Sequence, residues 1–485
     1  MGEAPATSHD TEQPRSRWSF LLRPWFLVTL TILAILVAIP LGYRSSRFAG
    51  IPPIDEVVDR ETEGRIDIEP DQNAFTVYES AWQQIPPGLH DEPITDAIDA
   101  LLTDGWSGVP PAIRGLLDTH RPILDEWKRG TELERGVAVQ PADLEQLVHI
   151  SAFDARLVCY LALLMSARCL EEGQPEEAWQ WLLANLKFSR HLGNPGPITD
   201  RYCGIAFHAI ISGHVAIWAS HESVTTEHLK VALQDLREIN RRTVANSVVF
   251  KCEYFQTLNL LSSPQRVQEY CRLSLPRGAI LDGVPGPLSG SYLFLLGEPE
   301  LCQLVLRHYY ANILSQCDLP RQARTLSTVQ GLFQPTGAES PPLIDPESLA
   351  VLLKRSQLAS QLEPSMFLIE GDDRERARQA LLETCLAVEM FRRRHGVYPD
   401  SLAALVPEFL DQVPQDPFGP AAADRLLMIL RQPEALPPDA DPPPTLPGLI
   451  LYSRGHEGLD DGGTERPYKD LCVRIPIPHP GASQP

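Results

Sequence analysis

The signatures by which many enzymes announce themselves are missing from this sequence of 485 residues. It has no Gly-x-Ser-x-Gly elbow for a nucleophilic serine and no Gly-x-x-x-x-Gly-Lys loop for a phosphate. A Gly-x-Gly-x-x-Gly turn for a dinucleotide and a His-Glu-x-x-His pair for zinc are also absent. Nine cysteines, at 159, 169, 203, 252, 271, 302, 317, 385 and 472, include no Cys-x-x-Cys spacing, which excludes zinc-ribbon and thioredoxin-type centres. Most stand beside Leu, Val, Ala or Tyr in helical patterns and read as free, buried thiols. Period-two alternation is scarce, so few strands are expected.

Positive charge is in short supply as well. The chain carries 42 Lys and Arg against 63 Asp and Glu, and five of the arginines lie before residue 50. The remainder holds 37 basic and 60 acidic residues, a body that repels phosphate backbones and excludes nucleic acid as a partner. With 43% apolar and 22% charged residues, the balance is that of a globular protein rather than a disordered one.

What the sequence does contain is one uncharged run, Pro24 to Tyr43, reading PWFLVTLTILAILVAIPLGY. At about 1.5 Å per residue its helix matches a hydrocarbon core of about 30 Å. Trp18, Trp25 and Tyr43 flank it as interfacial rings, and Pro40 falls in the last turn, where a kink costs least. A cleaved signal peptide has a shorter apolar region of about 7–15 residues and a small-x-small site; the exit Leu-Gly-Tyr-Arg-Ser-Ser-Arg offers none. A buried core helix would show a polar face, and this run has none. A retained transmembrane anchor in the bacterial cytoplasmic membrane is expected, with the lipid bilayer as partner. Arg15, Arg17 and Arg23 precede it and Arg44 and Arg47 follow, which puts residues 1–23 in the cytoplasm and the body in the periplasm or outside.

From residue 50 to 370 the pattern is mainly α, in helix-length segments broken by Pro and Gly. Helices are predicted over Asp143–Leu192 as a pair, and at 74–85, 204–219, 226–240, 298–315 and 346–361. Within the pair, Gly173 suits a left-handed cap, Pro175 a first turn, and Glu176 and Glu177 the positive helix start. This turn, with Ala167 and Ala178 about it, resembles the helix-turn-helix of tetratricopeptide repeats. No 34-residue period is sustained, so an irregular helical-hairpin array is expected. Pro276–Tyr292 and Gln334–Pro346 read as loops. His208, His214 and His221 are the densest histidine group, but His208 lies about 120° around a helix from the other two. Glu222 beside His221 would point apart from it. They read as helix-end and partly buried residues.

A small α+β module is expected from 371 to 478, with 479–485 as a tail. A helix over Asp372–His395 carries its acids at the start and Arg392–Arg394 at the end, in keeping with the dipole. Strands are predicted at Leu426–Leu430, Leu449–Ser453 and Cys472–Ile475, and a seven-proline connection spans Gln432–Gly448. In order come His395-Gly-Val-Tyr-Pro399, Leu402-x-x-Leu405, Pro414-Gln-Asp-Pro-Phe-Gly419 and Tyr452-Ser-Arg-Gly455.

These four motifs resemble the C-terminal domain of the type II secretion major pseudopilin, over about 105 residues. The resemblance implies a long helix with about three antiparallel strands and a calcium loop, whose ligands would fall at Glu457, Asp460, Asp461 and Asp470. Glu457 departs from the usual Asp, and Arg466 and Lys469 dilute the negative charge. A pseudopilin also runs its apolar helix directly into this module behind a processing site; here some 330 residues intervene and the site is absent. The whole layout resembles single-pass bacterial membrane proteins to which no activity is assigned. The expectation is therefore an envelope interaction or structural protein with other envelope proteins as partners. The alternatives are an envelope hydrolase with dispersed acid/base residues and an accessory component of a type II secretion-like system.

Overall fold

The start and stop of each helix follow local chemistry. Gly173 takes φ 74° to end one helix, and Pro175 opens the next. Thr225 and His228 form a reciprocal capping box, and Asp345 accepts from the Ser348 backbone at another start. The computed structural model describes residues 24–144, 152–274, 289–329, 331–337, 339, 342–362, 367–421, 424–431, 448–464 and 470–475. The expected tails at 1–23 and 479–485, most of the loop from Pro276, and the proline-rich stretch up to Pro447 lie outside them.

The helices are α1 (Pro24–Phe48), α2 (Arg60–Glu63), α3 (Ala74–Trp82), α4 (Ile94–Asp104), α5 (Pro111–Thr119) and α6 (Arg121–Thr131). Then come α7 (Ala152–Glu171), α8 (Pro175–His191), α9 (Ile198–Ser220), α10 (Thr226–Arg241), α11 (Asn246–Leu260) and α12 (Pro264–Ser274). The last are α13 (Ser289–Leu295), α14 (Glu298–Gln316), α15 (Pro346–Leu353), α16 (Ala359–Leu362) and α17 (Phe367–His395). Strands β1 (Leu427–Arg431), β2 (Gly448–Ser453) and β3 (Leu471–Ile475) form one antiparallel sheet in that order, with Met428 opposite Leu451 and Leu451 opposite Val473. The protein is mainly helical with a small three-stranded sheet, as expected.

Two apolar cores account for the packing. The first joins α3 to α10 with the later half of α17 and the sheet, and holds Trp127, Trp181 and Trp218 fully buried. The second gathers α11 to α16 around Phe250, Tyr310 and Phe333. Ile205 of α9 and Leu368 and Ile369 of α17 belong to the second core, whereas Phe207 of α9 and Leu381 onward of α17 belong to the first. Two helices therefore run through both. The boundary expected near residue 371 falls inside α17, and the apolar face of the terminal sheet is continuous with the helical core.

Several details differ from the sequence reading. Helix α17 begins at Phe367, five residues earlier than expected, because Asp372 and Asp373 are buried in ion pairs and do not form a solvated helix start. The segment 346–361 is broken at Lys354–Leu358, where Leu358 N and Ser356 Oγ turn to the Glu298 carboxylate. Helix α9 starts at Ile198, six residues early.

Among the described residues two helices, α1 and α9, are long and apolar enough to cross a membrane. Burial separates them: α9 is 67% buried over its apolar window, and the described span of α1 is 0% buried.

Candidate functional site

Where α9 and α17 pass from one core to the other, ionised side chains replace apolar ones. Glu375 is fully buried between Arg190 of α8 and Arg201 of α9, one guanidinium on each carboxylate oxygen. Arg201 also lies 3.6 Å from Asp372, which takes Nε of Arg376 at 2.7 Å and Nδ2 of Asn246 at 3.4 Å. One helical turn places Asp372 and Glu375 on the same side of α17, i and i+3. Burial alone would raise the Glu375 pKa, but Arg190 and Arg201 hold it well below the ordinary glutamate range. His208, with Nδ1 4.0 Å from Glu375, has its pKa pushed down to about 3 by burial and by Arg190. A carboxylate that is ionised and an imidazole that is neutral at pH 7 are not a proton-exchanging pair near neutrality. Nε and Nη2 of Arg190 and Nη1 of Arg201 have no hydrogen-bond partner among the described residues. Incompletely satisfied charge of this kind costs stability and favours a unique arrangement of the elements that meet there.

The remaining histidines of this group do not join it. His214 is buried and its pKa is lowered to about 4 by desolvation. His221 is the C-cap of α9, with Nδ1 2.8 Å from Ser223 Oγ. The structure thus places the three at separate depths along α9, in line with the helix-end and buried reading. Sequence spacing offered no signal for Arg190, Arg201 and Glu375, which are up to 185 residues apart.

The acidic loop is built from the terminal module upward. Asp416, in the turn Pro414-Gln-Asp-Pro, is buried; its carboxylate accepts from Phe418 N (3.0 Å), Ser453 Oγ (2.6 Å) and Arg454 N (3.0 Å), with Arg454 Nη1 at 3.3 Å. The helical body clamps this turn. Gln322 Nε2 reaches the carbonyls of Pro417 and Gly419 at 2.9 and 3.0 Å, and Arg321 donates to the His456 carbonyl at 2.9 Å.

Beyond it, Asp460 Oδ1 accepts from Tyr452 OH and Gly462 N, both at 3.0 Å. Asp470 is buried, and its Oδ2 accepts from Gly463 N at 2.8 Å. Oδ1 of Asp470 has no hydrogen-bond partner among the described residues. Its pKa is raised by burial, against the backbone N–H groups of Gly463, Asp461 and Thr464, which lower it. Glu457 is exposed. Among the described residues no group of three His, Cys, Asp or Glu is arranged to hold a metal ion, so Glu457, Asp460, Asp461 and Asp470 do not converge as one shell.

A further perturbed carboxylate lies in the second core. Burial raises Glu253 to about 7, against a backbone hydrogen bond from Ile198 at the start of α9; its Oε2 has no hydrogen-bond partner among the described residues. The signal in sequence was slight, a single Glu inside the helix VVFKCEYF.

At the other end of the body, α1 is docked through its last turn. Arg47 Nη1 lies 2.8 Å from Oε2 of Glu298, a carboxylate only 1% exposed whose Oε1 accepts from Ser356 Oγ and Leu358 N. Arg355 Nη1 donates to the Ala49 carbonyl at 2.7 Å. Eight of the nine cysteines, all but Cys271, are free thiols, and six of these eight are buried.

These features define a mainly helical protein with a small antiparallel sheet and an N-terminal helix long and apolar enough for a membrane. No protein-family model, no curated protein and no solved structure matches the chain.

Proposed function

We propose that this chain is a membrane-tethered bacterial envelope protein, with residues 1–23 in the cytoplasm and the body outside the cytoplasmic membrane. In this reading it acts as an interaction or structural element and not as an enzyme. The observation that carries the proposal is α1. Its described apolar span is unburied, yet its last turn is locked to a buried carboxylate, Glu298. A soluble protein would gain by covering that surface, since exposed apolar area of this extent marks a binding or membrane face. In the buried ionic cluster, Glu375 and His208 are held in fixed protonation states, which suits a rigid scaffold better than acid/base chemistry.

The body is best read as an irregular helical-hairpin array with a weak likeness to tetratricopeptide units. Support comes from the α7–α8 pair, where Ser166 Oγ donates to the Ala178 carbonyl at 2.9 Å across the close approach. Likeness of the C-terminal part to the major pseudopilin module is supported by Asp416, which joins the Pro-x-Asp-Pro turn to the Tyr-Ser-x-Gly strand end. Calcium at the acidic loop belongs to the same reading. What favours it is Oδ1 of the buried Asp470, which has no hydrogen-bond partner among the described residues and which a cation would relieve.

Alkaline carbonate extraction of native membranes tests the tether. The full chain should stay in the membrane pellet, a chain lacking residues 24–43 should be released, and protease should reach the body only from outside. Release of the full chain would sink the proposal. Cross-linked pull-down from the same membranes addresses the partner: envelope proteins are expected, whereas pseudopilus subunits would favour the secretion-accessory reading.

A further inference from the structure

The bilayer contact does not end with α1. We infer that α13 lies on the membrane surface beside it and dips Tyr292 and Leu295 into the lipid interface, so that the body rests on the bilayer along a fixed face. This rests on the tether proposed above and adds a second lipid contact to it.

The geometry starts at Arg44, which directly follows the expected end of the span at Tyr43 and so marks the height of the headgroups. A Cβ on Gly297 would stand 2.8 Å from Nε of Arg44, which puts the backbone just after α13 against that side chain. Arg44 also approaches Glu300, at 3.5 Å. Leu295 is two residues before Gly297, a reach of at most about 7 Å, comparable to the interfacial layer of roughly 5–8 Å between the hydrocarbon and water. Within α13, Leu293 is 2% exposed and belongs to the second core, whereas Tyr292 and Leu295 are 42% and 61% exposed. Positions i and i+3 share one helix face, so the two exposed residues form an apolar edge with a ring suited to the interface.

Charge is consistent with this placement. The body carries a large negative excess, and bare carboxylates at the exit would be repelled by an anionic leaflet. Both acids at the start of α14 are instead matched, Glu298 by Arg47 and Glu300 by Arg44, and Arg355 adds a third arginine on the Ala49 carbonyl. A helix locked at its end by Glu298 cannot swing the body freely, so α13 is carried to the same height in every molecule.

The test is photo-crosslinking of the full chain, reconstituted in bilayers of alkyne-tagged phosphatidylglycerol and phosphatidylethanolamine. Single replacements by p-benzoylphenylalanine would be made at Leu33 in α1, Leu295 in α13, and Val231, an exposed residue of α10 in the other core. All three side chains are exposed, so folding should tolerate them, and Tyr292 offers a second position in α13. Ultraviolet-dependent lipid adducts are expected at 33 and 295, with at least tenfold less at 231. Adduct at 33 but neither at 295 nor at 292 would overturn the inference and leave the tether intact. No adduct at 33 would overturn the tether itself, and equal yields at 295 and 231 would show that α13 has no privileged contact with lipid.

Discussion

Ser453 donates a 2.6 Å hydrogen bond to the buried carboxylate of Asp416, joining two sequence motifs that lie 37 residues apart. Arg454 adds its backbone N–H and its guanidinium to the other oxygen, so a turn and a strand end are fastened by one aspartate. The helical body fastens the same turn from outside through Gln322. Removing the carboxylate leaves the Arg454 guanidinium and three further donors, two of them buried, without that acceptor. Asp416→Ala should therefore lower stability by about 3 kcal/mol. Thermal unfolding of the detergent-solubilised full chain measures it, and a loss below about 1 kcal/mol would contradict the fastening role.

Glu375 offers a sharper case because both of its partners are buried with it. Glu375→Gln leaves Arg190 with no ion-pair partner among the described residues and Arg201 with only Asp372, 3.6 Å away, and should cost about 3–5 kcal/mol. A second change, Arg190→Met, should restore part of that loss by removing the stranded charge, a coupling that a double-mutant cycle isolates. The pH dependence has a fixed sign. With its folded-state pKa depressed, Glu375 contributes stability that is present above the ordinary glutamate range, near pH 4.5, and is lost as pH falls toward the depressed value. Wild type should lose this contribution in acid, and the Gln variant should have none to lose. Parallel acid curves for the two proteins would refute the assignment.

Much of the secondary structure was legible because it is written locally. Gly173, Pro175 and the two glutamates after it end one helix and begin another whatever surrounds them, and the three strands were placed to within a residue of their observed ends. The start of α17 was misplaced for the opposite reason. Asp372 and Asp373 look like solvated helix-start acids until Arg201 and Arg324 arrive from elsewhere in the chain. The ionic cluster was invisible for the same cause, since no spacing rule joins Arg190 to Glu375. The separation of α1 from α9 was legible too, since α1 has no charge over Pro24–Tyr43 and α9 begins with Asp200 and Arg201; tertiary contact adds that α9 is lined by protein on most of its surface.

For the acidic loop, the expected outcome of adding calcium at millimolar concentration is a rise of a few degrees in the unfolding temperature of the full chain. Asp470→Asn should abolish the rise, because the oxygen without a hydrogen-bond partner belongs to that residue. Glu457→Gln should leave it nearly unchanged, given that Glu457 is exposed. An unchanged unfolding temperature in wild type would remove calcium from the proposal without touching the tether.

Glu253 gives a pH dependence of opposite sign to that of Glu375. Burial raises its pKa to about 7, so the folded protein holds this proton more tightly than the unfolded chain does. The resulting stabilisation is complete below about pH 4.5 and is lost as pH rises through 7, because the folded state must then either bury a charge or open to hydrate it. A shift of this size corresponds to at most about 3 kcal/mol by pH 8. Glu253→Gln keeps the shape, retains an acceptor for the Ile198 backbone and cannot ionise. Its unfolding temperature should match wild type near pH 5 and exceed it increasingly from pH 6 to 8, by several degrees at the upper end. Two curves that stay parallel over that range would mean that Glu253 is already ionised, held by hydration or by a cation, when the protein is folded.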